Sequence, residues 1–450
     1  MLTRWVEARG LETGGALPVP EGQRRMRASG LFTVWLMTPA GVTGPLVGYL
    51  FFKYGTWNFL ATVAIAFMIG FVPAGVLSEM GRDVPITSVV YARRCFGMLG
   101  TLPVAILLAL VSLGFFGLTS AVIATILAAA TNTSSRLWDG VVGIVAVVLV
   151  VVGIRLVERC YRYTRIVVPI CYAGLVLYLS ETFGLRFPSQ TTPMKWGPAL
   201  TLVLTLSLLS WGYVLPTVSR FCTPRSNDDR RANVLFFVAP SLALMMTLTC
   251  LGIIGMLAEG SAGTWNLAMR AAESRGWSLA LAVILAVAAI PGTAMNIYSG
   301  SMNLLSAQNT VWSPRQWQQP VTTIALGFIG TSLAVLGILT HVAVFLDQSA
   351  VVLVPFTFVV AADWLWVKGR RADVANFFES SRGVRTSIGW PAWGSFLFGI
   401  GLSVAGLLLL PQGVQDYIPM PVAGGVMAAG LYVTIARRVA RVALVRRVEQ

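Results

Sequence analysis

Twelve long apolar runs divide the sequence, and each is close to the length that a helix needs to cross a lipid bilayer. A hydrocarbon core about 30 Å thick requires about 20 apolar residues in helical conformation. The runs cover residues 31–52, 57–79, 103–130, 140–157, 164–184, 197–218, 233–258, 277–306, 320–341, 343–366, 388–410 and 419–436. This pattern predicts an all-α polytopic membrane protein with twelve transmembrane helices.

The overall composition supports the same class. Of the 450 residues, 56% are apolar and 11% are charged, whereas about 25% of the residues of a typical soluble domain are charged. This composition excludes a soluble globular enzyme, a disordered chain and a small secreted module held together by disulfides. The five cysteines are scattered and form no C-x-x-C pair, so they indicate neither a metal site nor a disulfide framework.

The positive charges are distributed unevenly between the two sides of the predicted membrane. If twelve runs cross in alternation, 27 of the 33 lysines and arginines lie on the side that holds both chain ends, and six lie on the other side. Basic residues accumulate on the cytoplasmic side of membrane proteins. The distribution predicts a multi-pass protein of the cell (plasma or inner) membrane with both termini in the cytoplasm. It argues against a nucleic-acid partner, which would need a basic face on a soluble domain.

The predicted spans carry no Asp, Glu, Lys or Arg clearly at mid-depth, and the chain has a single histidine, His341. Charged residues inside a membrane usually mark ion or proton paths. Their absence from the middle of the spans favours a neutral or weakly polar ligand. It also disfavours an intramembrane enzyme, which would need a paired acid, a histidine-activated nucleophile or a metal cluster.

Two of the runs are interrupted by proline and glycine. The first contains Thr38-Pro39-Ala40-Gly41, and the sixth contains Trp211-Gly212-Tyr213 followed by Pro216. Interrupted helices at matching positions in two halves point to an inverted-repeat transporter with its site near the bilayer midplane. The alternative is that both interruptions are ordinary kinks, because proline and glycine are tolerated in transmembrane helices.

The interruptions divide the chain into two repeats with flanking parts. The predicted units are a cytoplasmic N-terminal segment (1–30), a first repeat of five helices (31–184), a second repeat of five helices (197–366), two further helices (388–436) and a cytoplasmic basic tail (437–450).

The eighth run has the clearest polar face, with residues that recur at helical spacing. They are Thr293, Asn296, Ser299, Gly300 and Asn303. A carboxamide in lipid is costly unless it is paired, so this face is predicted to point inward. Ligand binding and hydrogen bonding between helices remain equal alternatives for it.

Polar and aromatic residues of the first, third, sixth and eighth runs together suggest a ligand. Phe115 or Phe116 offers one ring face and Trp211 another, and Asn296 can both donate and accept hydrogen bonds. Offset aromatic stacking would provide affinity and the carboxamide would provide orientation. A flat, neutral, amide-rich heterocycle fits this set, which Thr119 and Pro39 complete as candidate substrate-binding residues.

Several sequence elements in their order along the chain resemble the nucleobase:cation symporter-1 family, in its purine–cytosine permease branch. The matching elements are Val6–Glu12 with Pro18–Glu21 and Arg24, Leu31-Phe32 with Trp35, Ala92-Arg93 with Cys95-Phe96-Gly97, Gly114-Phe115-Phe116, Trp211 with Ser219-Arg220-Phe221 and Pro224, Asn296-Ile297-Tyr298-Ser299, and Pro355 with Ala362-Asp363-Trp364. They extend from residue 6 to residue 364.

The resemblance implies a LeuT-like 5+5 inverted repeat with two additional C-terminal helices. It also implies uptake of a nucleobase or a related compound such as cytosine, a purine, a hydantoin, allantoin or a pyridoxine-like ring, coupled to Na⁺ or H⁺. In such families the substrate lies between helices 1, 3, 6 and 8, and transport proceeds by alternating access. No other cofactor is implied, and the sequence does not indicate an oligomeric state.

The chain departs from the family pattern around the implied cation site. Phe115 replaces the usual tryptophan of helix 3, and Pro291-Gly292 stand where Na⁺-coupled relatives place hydroxyl groups. Thr38, Gly41 and Thr293 therefore remain as the candidate Na⁺ ligands. Alternatives are a LeuT-fold transporter of another small solute, such as an amino acid or a vitamin, and a non-transporting sensor on the same fold.

Overall fold

The computed structural model describes residues 16–40, 43–226, 228–311, 317–367, 369, 374–378 and 387–448, and these are almost entirely helical. We number the spanning helices in chain order. They are α1a (Ala28–Met37), α1b (Thr43–Phe51), α2 (Thr56–Asp83), α3 (Thr101–Thr131), α4 (Ser135–Val152), α5 (Ile154–Phe183), α6a (Trp196–Leu206), α6b (Leu215–Ser219), α7 (Arg230–Ala262), α8 (Trp277–Val311), α9 (Gln318–Val335), α10 (Val342–Ala362), α11 (Trp390–Leu409) and α12 (Met420–Val448).

The prediction of twelve spans is confirmed. Within the described ranges, nine helices are long and apolar enough to cross a membrane alone. The other three spans are α9 and the two predicted broken helices, each of which consists of two halves, α1a with α1b and α6a with α6b. Short helices at Ser88–Phe96 and Leu267–Glu273 lie between spans.

The predicted boundary between the fourth and fifth spans is wrong. The runs 140–157 and 164–184 placed a loop at 158–163, but α4 ends at Val152 and α5 begins at Ile154. The turn is made by Gly153 alone, whose φ of 118° is accessible to glycine and not to most other residues. The charged residues that suggested a loop form the first turns of α5, where charge is tolerated because this end lies outside the hydrocarbon layer.

The predicted basic tail is the end of a helix over its described part. Helix α12 continues without interruption from Met420 to Val448, so most of the predicted tail 437–450 is an extension of the last span. The proposed division of run 320–366 agrees with the structure, since α9 and α10 are joined by a short turn at Ile338–His341.

Glycines set the closest contact between the first and seventh spans. A Cβ built on Gly48 of α1b would overlap the carbonyl oxygen of Gly252 on α7, and one on Gly255 would overlap that of Pro45. Small residues let membrane helices approach closely, and the gain is van der Waals packing because lipid tails provide no hydrophobic drive. Half-helix α1b is thereby held against α7.

Among the described residues, charged side chains collect on the side on which α1a begins and α12 ends, which we call the basic side. Asp363, at the end of α10, is fully buried and accepts hydrogen bonds from Tyr91 (3.0 Å) and Tyr432 (2.6 Å). Arg94 completes an ion pair with it at 3.3 Å. These contacts attach the short helix Ser88–Phe96 to α10 and α12.

We predict that Gly48→Ala destabilises the protein by about 1–3 kcal/mol, the usual cost of forcing an extra group into a packed interface. The added methyl group would push α1b away from the Gly252 carbonyl. The thermal unfolding midpoint of the purified protein measures the effect. Gly430→Ala on α12 is the matched control, since a Cβ there meets no atom within 4 Å. Equal midpoints for the two variants would contradict the predicted α1b–α7 contact.

Candidate substrate site

The first helix is broken at the predicted place, and one of its freed carbonyl groups has a partner on α7. Half-helix α1a ends at Met37, and the Thr38 hydroxyl donates to the Val34 carbonyl oxygen at 2.7 Å. The carbonyl oxygen of Leu36 accepts a hydrogen bond from Thr247 of α7 at 2.7 Å. Helix termini in a membrane need such partners, because no water is present to replace them.

A tyrosine of α5 fills the space between this break and α8. The Tyr161 hydroxyl donates to the Pro291 carbonyl oxygen at 3.0 Å and lies 3.3 Å from Thr38 Oγ1. A Cβ on Gly292 would lie 2.7 Å from the Thr38 carbonyl oxygen, so α8 can approach the break only with glycine there. Pro39 is buried beside Thr38. Gly41, a predicted cation ligand, lies outside the described residues.

The sixth helix is also broken as predicted, over the segment between Leu206 and Leu215. Trp211–Tyr213 forms a single 3₁₀ turn within the break. The Thr357 hydroxyl of α10 donates to the Leu209 carbonyl oxygen at 3.0 Å, which satisfies one of the freed backbone acceptors. The break is therefore supported from α10 as the first break is supported from α7.

Tyr213 connects the sixth-helix break to α3 and α8. Its hydroxyl lies 2.8 Å from Ser112 Oγ and is also hydrogen-bonded to Ser299. Its carbonyl oxygen accepts a hydrogen bond from Ser88. Sequence reasoning named Tyr213 only as part of the interruption and missed this role. The positions of Ser112 and Ser299 among the polar residues of their runs indicated that both serines face inward. They did not indicate that both contact Tyr213.

The aromatic candidates lie against different neighbours. Trp211 meets Trp35 of α1a edge to face, with ring centroids 5.6 Å apart. Phe115 meets Phe345 of α10 in the same way at 5.0 Å. Phe116 is fully buried and instead packs against Gly330 of α9, where a Cβ would overlap its ring.

The polar face of α8 meets α3 through two of the predicted residues. Asn296 is only 4% exposed, and its Nδ2 lies 3.5 Å from Thr119 Oγ1. Thr119 itself donates to the Phe115 carbonyl oxygen at 2.9 Å. One turn earlier on α8, the Thr293 hydroxyl is buried with no hydrogen-bond partner among the described residues. Asn296 and Thr119 are thus brought together directly, and Thr293 lies on the same face.

The region of the two helix breaks and the α8 polar face is covered toward both ends of the helices. On the basic side, the fully buried Arg220 donates from Nη2 to the Tyr298 hydroxyl at 3.0 Å and from Nε to the Thr217 carbonyl oxygen at 3.1 Å. It links the end of α6b to α8. On the opposite side, the helix Leu267–Glu273 packs over α3, α5 and α8. The breaks and the α8 polar face are therefore enclosed between two layers.

The sequence profile of one protein family matches residues 18–430; its description is a permease for cytosine/purines, uracil, thiamine and allantoin. Among curated proteins, the vitamin B6 transporter TPN1 of Saccharomyces cerevisiae is 26% identical over 231 residues, which is 47% of this chain. The match spans only 39% of the length of that relative.

Solved structures show the same fold. Mhp1, a nucleobase-cation-symport-1 family transporter in a closed conformation with bromovinylhydantoin bound, superposes with a TM-score of 0.80 at 19% identity, over 96% of each chain. A Na⁺-coupled sialic acid symporter in a substrate-bound outward-open state superposes with a TM-score of 0.62 at 12% identity, over 96% of this chain and 92% of its own. The predicted LeuT-like architecture is confirmed by these likenesses.

Proposed function

The chain belongs to the permease family for cytosine and purines, uracil, thiamine and allantoin, and we propose that it is a secondary-active transporter of a nucleobase or a related flat, neutral nitrogen heterocycle. Membership of this family confirms that the protein is a membrane transporter and not an enzyme. The observation that carries the substrate class is the buried Asn296–Thr119 pair, at 3.5 Å, on a face without charge that adjoins two broken helices.

In the proposed site, the Asn296 carboxamide hydrogen-bonds to the polar edge of the heterocycle. A carboxamide offers one acceptor and two donors, which complements the adjacent donor and acceptor groups of a cyclic amide or amidine. Thr119 is within reach of the Asn296 amide and can hold it in orientation or contact the ligand itself. Pro39, at the first break, would border the same space.

The proposed ring contacts come from Phe115 and Trp211. Each is already in edge-to-face contact with a second aromatic ring, Phe345 and Trp35 respectively. Such pairs fix ring orientation before the ligand arrives, and this limits the entropy that binding must overcome. Phe116 packs toward α9, so of the two candidates in helix 3 we assign the ring contact to Phe115.

A vitamin ring is the second candidate substrate. The partial match to a vitamin B6 transporter favours it, and a pyridine ring with hydroxyl groups has the same flat and neutral character as a nucleobase. Amino acids fit less well, because their carboxylate would need a run of exposed backbone amides at the first break and Pro39 lacks one.

Alternating access would proceed by rocking one group of helices (1, 2, 6 and 7) against another (3, 4, 8 and 9). In the structure α7 packs against α1 and α2, while α8 packs against α3 and α9, which matches these two groups. The Arg220–Tyr298 contact joins the groups on the basic side. We propose that it separates when the site opens to that side.

The first break is the proposed position of the coupling ion, Na⁺ or H⁺. Transporters hold such ions with the carbonyl groups of unwound helices. The Thr293 hydroxyl, which has no hydrogen-bond partner among the described residues, is a candidate oxygen ligand near this break. Thr38 is a weaker ligand, because its hydroxyl already donates to Val34 and lies close to Tyr161.

We predict that Asn296→Ala lowers the initial rate of uptake by at least about tenfold, since a site group that pairs with the ligand is lost. The measurement is uptake of labelled cytosine, uracil, purines, allantoin and pyridoxine into proteoliposomes. Asn58→Ala is the control, because among the described residues Asn58 donates to the Tyr54 carbonyl oxygen, four positions earlier in the chain. Wild-type uptake by Asn296→Ala, with Asn58→Ala equally active, would remove Asn296 from the site.

For the coupling ion, we predict faster uptake in a Na⁺ gradient than in choline, and loss of that difference in Thr293→Val. Valine keeps the shape of threonine but has no oxygen, whereas Thr293→Ser keeps the hydroxyl and should keep the Na⁺ response. A Na⁺ response that persists in Thr293→Val would contradict its role as a ligand. Uptake that depends on a pH gradient and is independent of Na⁺ would identify H⁺ as the coupling ion.

We propose that the basic side is cytoplasmic, because the alternation of twelve spans along the sequence assigns 27 of the 33 lysines and arginines to it. A fluorescent-protein fusion after residue 448 should then fluoresce, and an alkaline phosphatase fusion at the same point should be inactive. Fusions placed at residue 415, between α11 and α12, should show the opposite pattern. Phosphatase activity at the C-terminal fusion would reverse the orientation.

A further inference from the structure

A basic pocket lies at the membrane surface between the start of α1a and the start of α5. Its volume is about 270 Å³, and its charged lining consists of Arg25, Arg27, Arg162, Arg165 and Glu158. Four guanidinium groups face one carboxylate, so the pocket has an excess of positive charge. Glu158 is 3.9 Å from Arg162, and none of the described carboxylates forms an ion pair with Arg27 or Arg165.

An apolar groove continues from this pocket toward the membrane interior. It has a volume of about 550 Å³ and runs between α1a, α5 and α7, lined by Phe32, Leu36, Ile166, Leu235 and Leu242 among others. The two cavities share Ser29, Thr33 and Arg165. A charged compartment and an apolar compartment therefore meet at one point.

The length of α5 places that meeting point at the boundary between headgroups and acyl chains. Thirty helical residues extend about 45 Å, whereas the hydrocarbon core is about 30 Å thick. About the first ten residues of α5 therefore project from the core on the basic side. The change from Arg165 to Ile166 falls at the end of this projecting part, so the pocket is at headgroup depth and the groove at acyl depth.

We propose that this composite cavity binds one anionic phospholipid of the leaflet on the basic side. The phosphodiester lies among the guanidinium groups of Arg27 and Arg165, and an acyl chain lies in the groove along α1a and α7. Arginine binds phosphate with two parallel hydrogen bonds, and basic pockets between transmembrane helices are typical sites for anionic headgroups. A zwitterionic lipid would leave the excess positive charge unmatched.

The position gives the lipid a means of affecting the transporter. It contacts α1a, which ends at the first break, and α5, whose Tyr161 hydroxyl supports that break. A lipid bound between α1a and α5 holds these two helices in one arrangement. Lipid binding itself does not depend on the proposed substrate or coupling ion.

The test uses the full chain in mixed micelles that contain equal amounts of palmitoyl-oleoyl phosphatidylglycerol and phosphatidylcholine, with bound lipid counted by native mass spectrometry. We expect retention of at least one phosphatidylglycerol per chain. Arg27→Gln/Arg165→Gln should weaken its retention about thirtyfold, from the loss of two charges near the surface. The control Arg230→Gln/Arg438→Gln removes two exposed arginines of the same side from outside the cavity and should retain the lipid.

Three results would overturn the proposal. They are equal retention of the two lipids by the wild-type protein, unchanged phosphatidylglycerol retention in Arg27→Gln/Arg165→Gln, and thermal stabilisation by inorganic phosphate or glycerol phosphate as large as that by the lipid. The last would identify the pocket as a site for soluble anions.

A second measurement needs no variant and therefore does not depend on a variant's folding. Phosphatidylglycerol with a diazirine in its acyl chain should crosslink the wild-type protein at α1a, α5 and α7, near Leu36, Ile166 and Leu242. Crosslinks confined to other helices would contradict the assignment of the groove.

Discussion

Two helices give up backbone hydrogen bonds inside the bilayer, and the arrangement of their neighbours follows from that loss. An unpaired backbone group in lipid costs several kcal/mol, and irregular backbone occurs there only where protein or a water-filled cavity surrounds it. Thr247 of α7 satisfies a carbonyl group at the first break, and Thr357 of α10 satisfies one at the second. The breaks can thus persist at the centre of the protein, and they expose backbone groups where a ligand or an ion could use them.

Among the residues that the structure describes, charged side chains lie away from this centre. Most of the buried ionic groups that the structure describes, such as Asp363 with Arg94 and Arg220 with Tyr298, lie at the ends of helices on the basic side. There they hold the short helix Ser88–Phe96 and the end of α6b in place. Asp139, near the start of α4, is buried on the opposite side. Between the breaks the polar groups are a carboxamide, hydroxyls and carbonyls. Such groups can select a neutral heterocycle by hydrogen bonding without the cost of removing a charged substrate from water.

Features that depend on local sequence were predictable. Span number follows from apolar length, the two breaks follow from proline and glycine, and the inward face of α8 follows from the spacing of Asn296 with its polar neighbours. Each of these is fixed by residues within one or two helical turns of one another. For the same reason the sharp turn at Gly153 was missed: the charged residues that suggested a loop all follow the true boundary, and one glycine was enough to make the connection.

Contacts between distant segments were not predictable from periodicity. Tyr161 reaches the first break only because α5 begins at Ile154 and extends into what the sequence suggested was a loop. Tyr213 is hydrogen-bonded to serines of three different helices, and none of these serines is distinctive in the sequence by itself. The difference between Phe115 and Phe116 likewise depends on where Phe345 and Gly330 lie, and those residues are more than 200 positions away in the chain. Pairings of this kind require the three-dimensional arrangement.

We propose that the site between the broken helices selects a flat ring without charge. The most direct measurement is equilibrium binding of uracil and of orotate, its carboxylated analogue, to the purified protein, together with the same comparison for each ring that uptake identifies. We expect the neutral ring to bind and the added carboxylate to abolish binding, because the described site offers no cation to pair with it. Equal or tighter binding of the carboxylated ring would contradict selection for a neutral ligand.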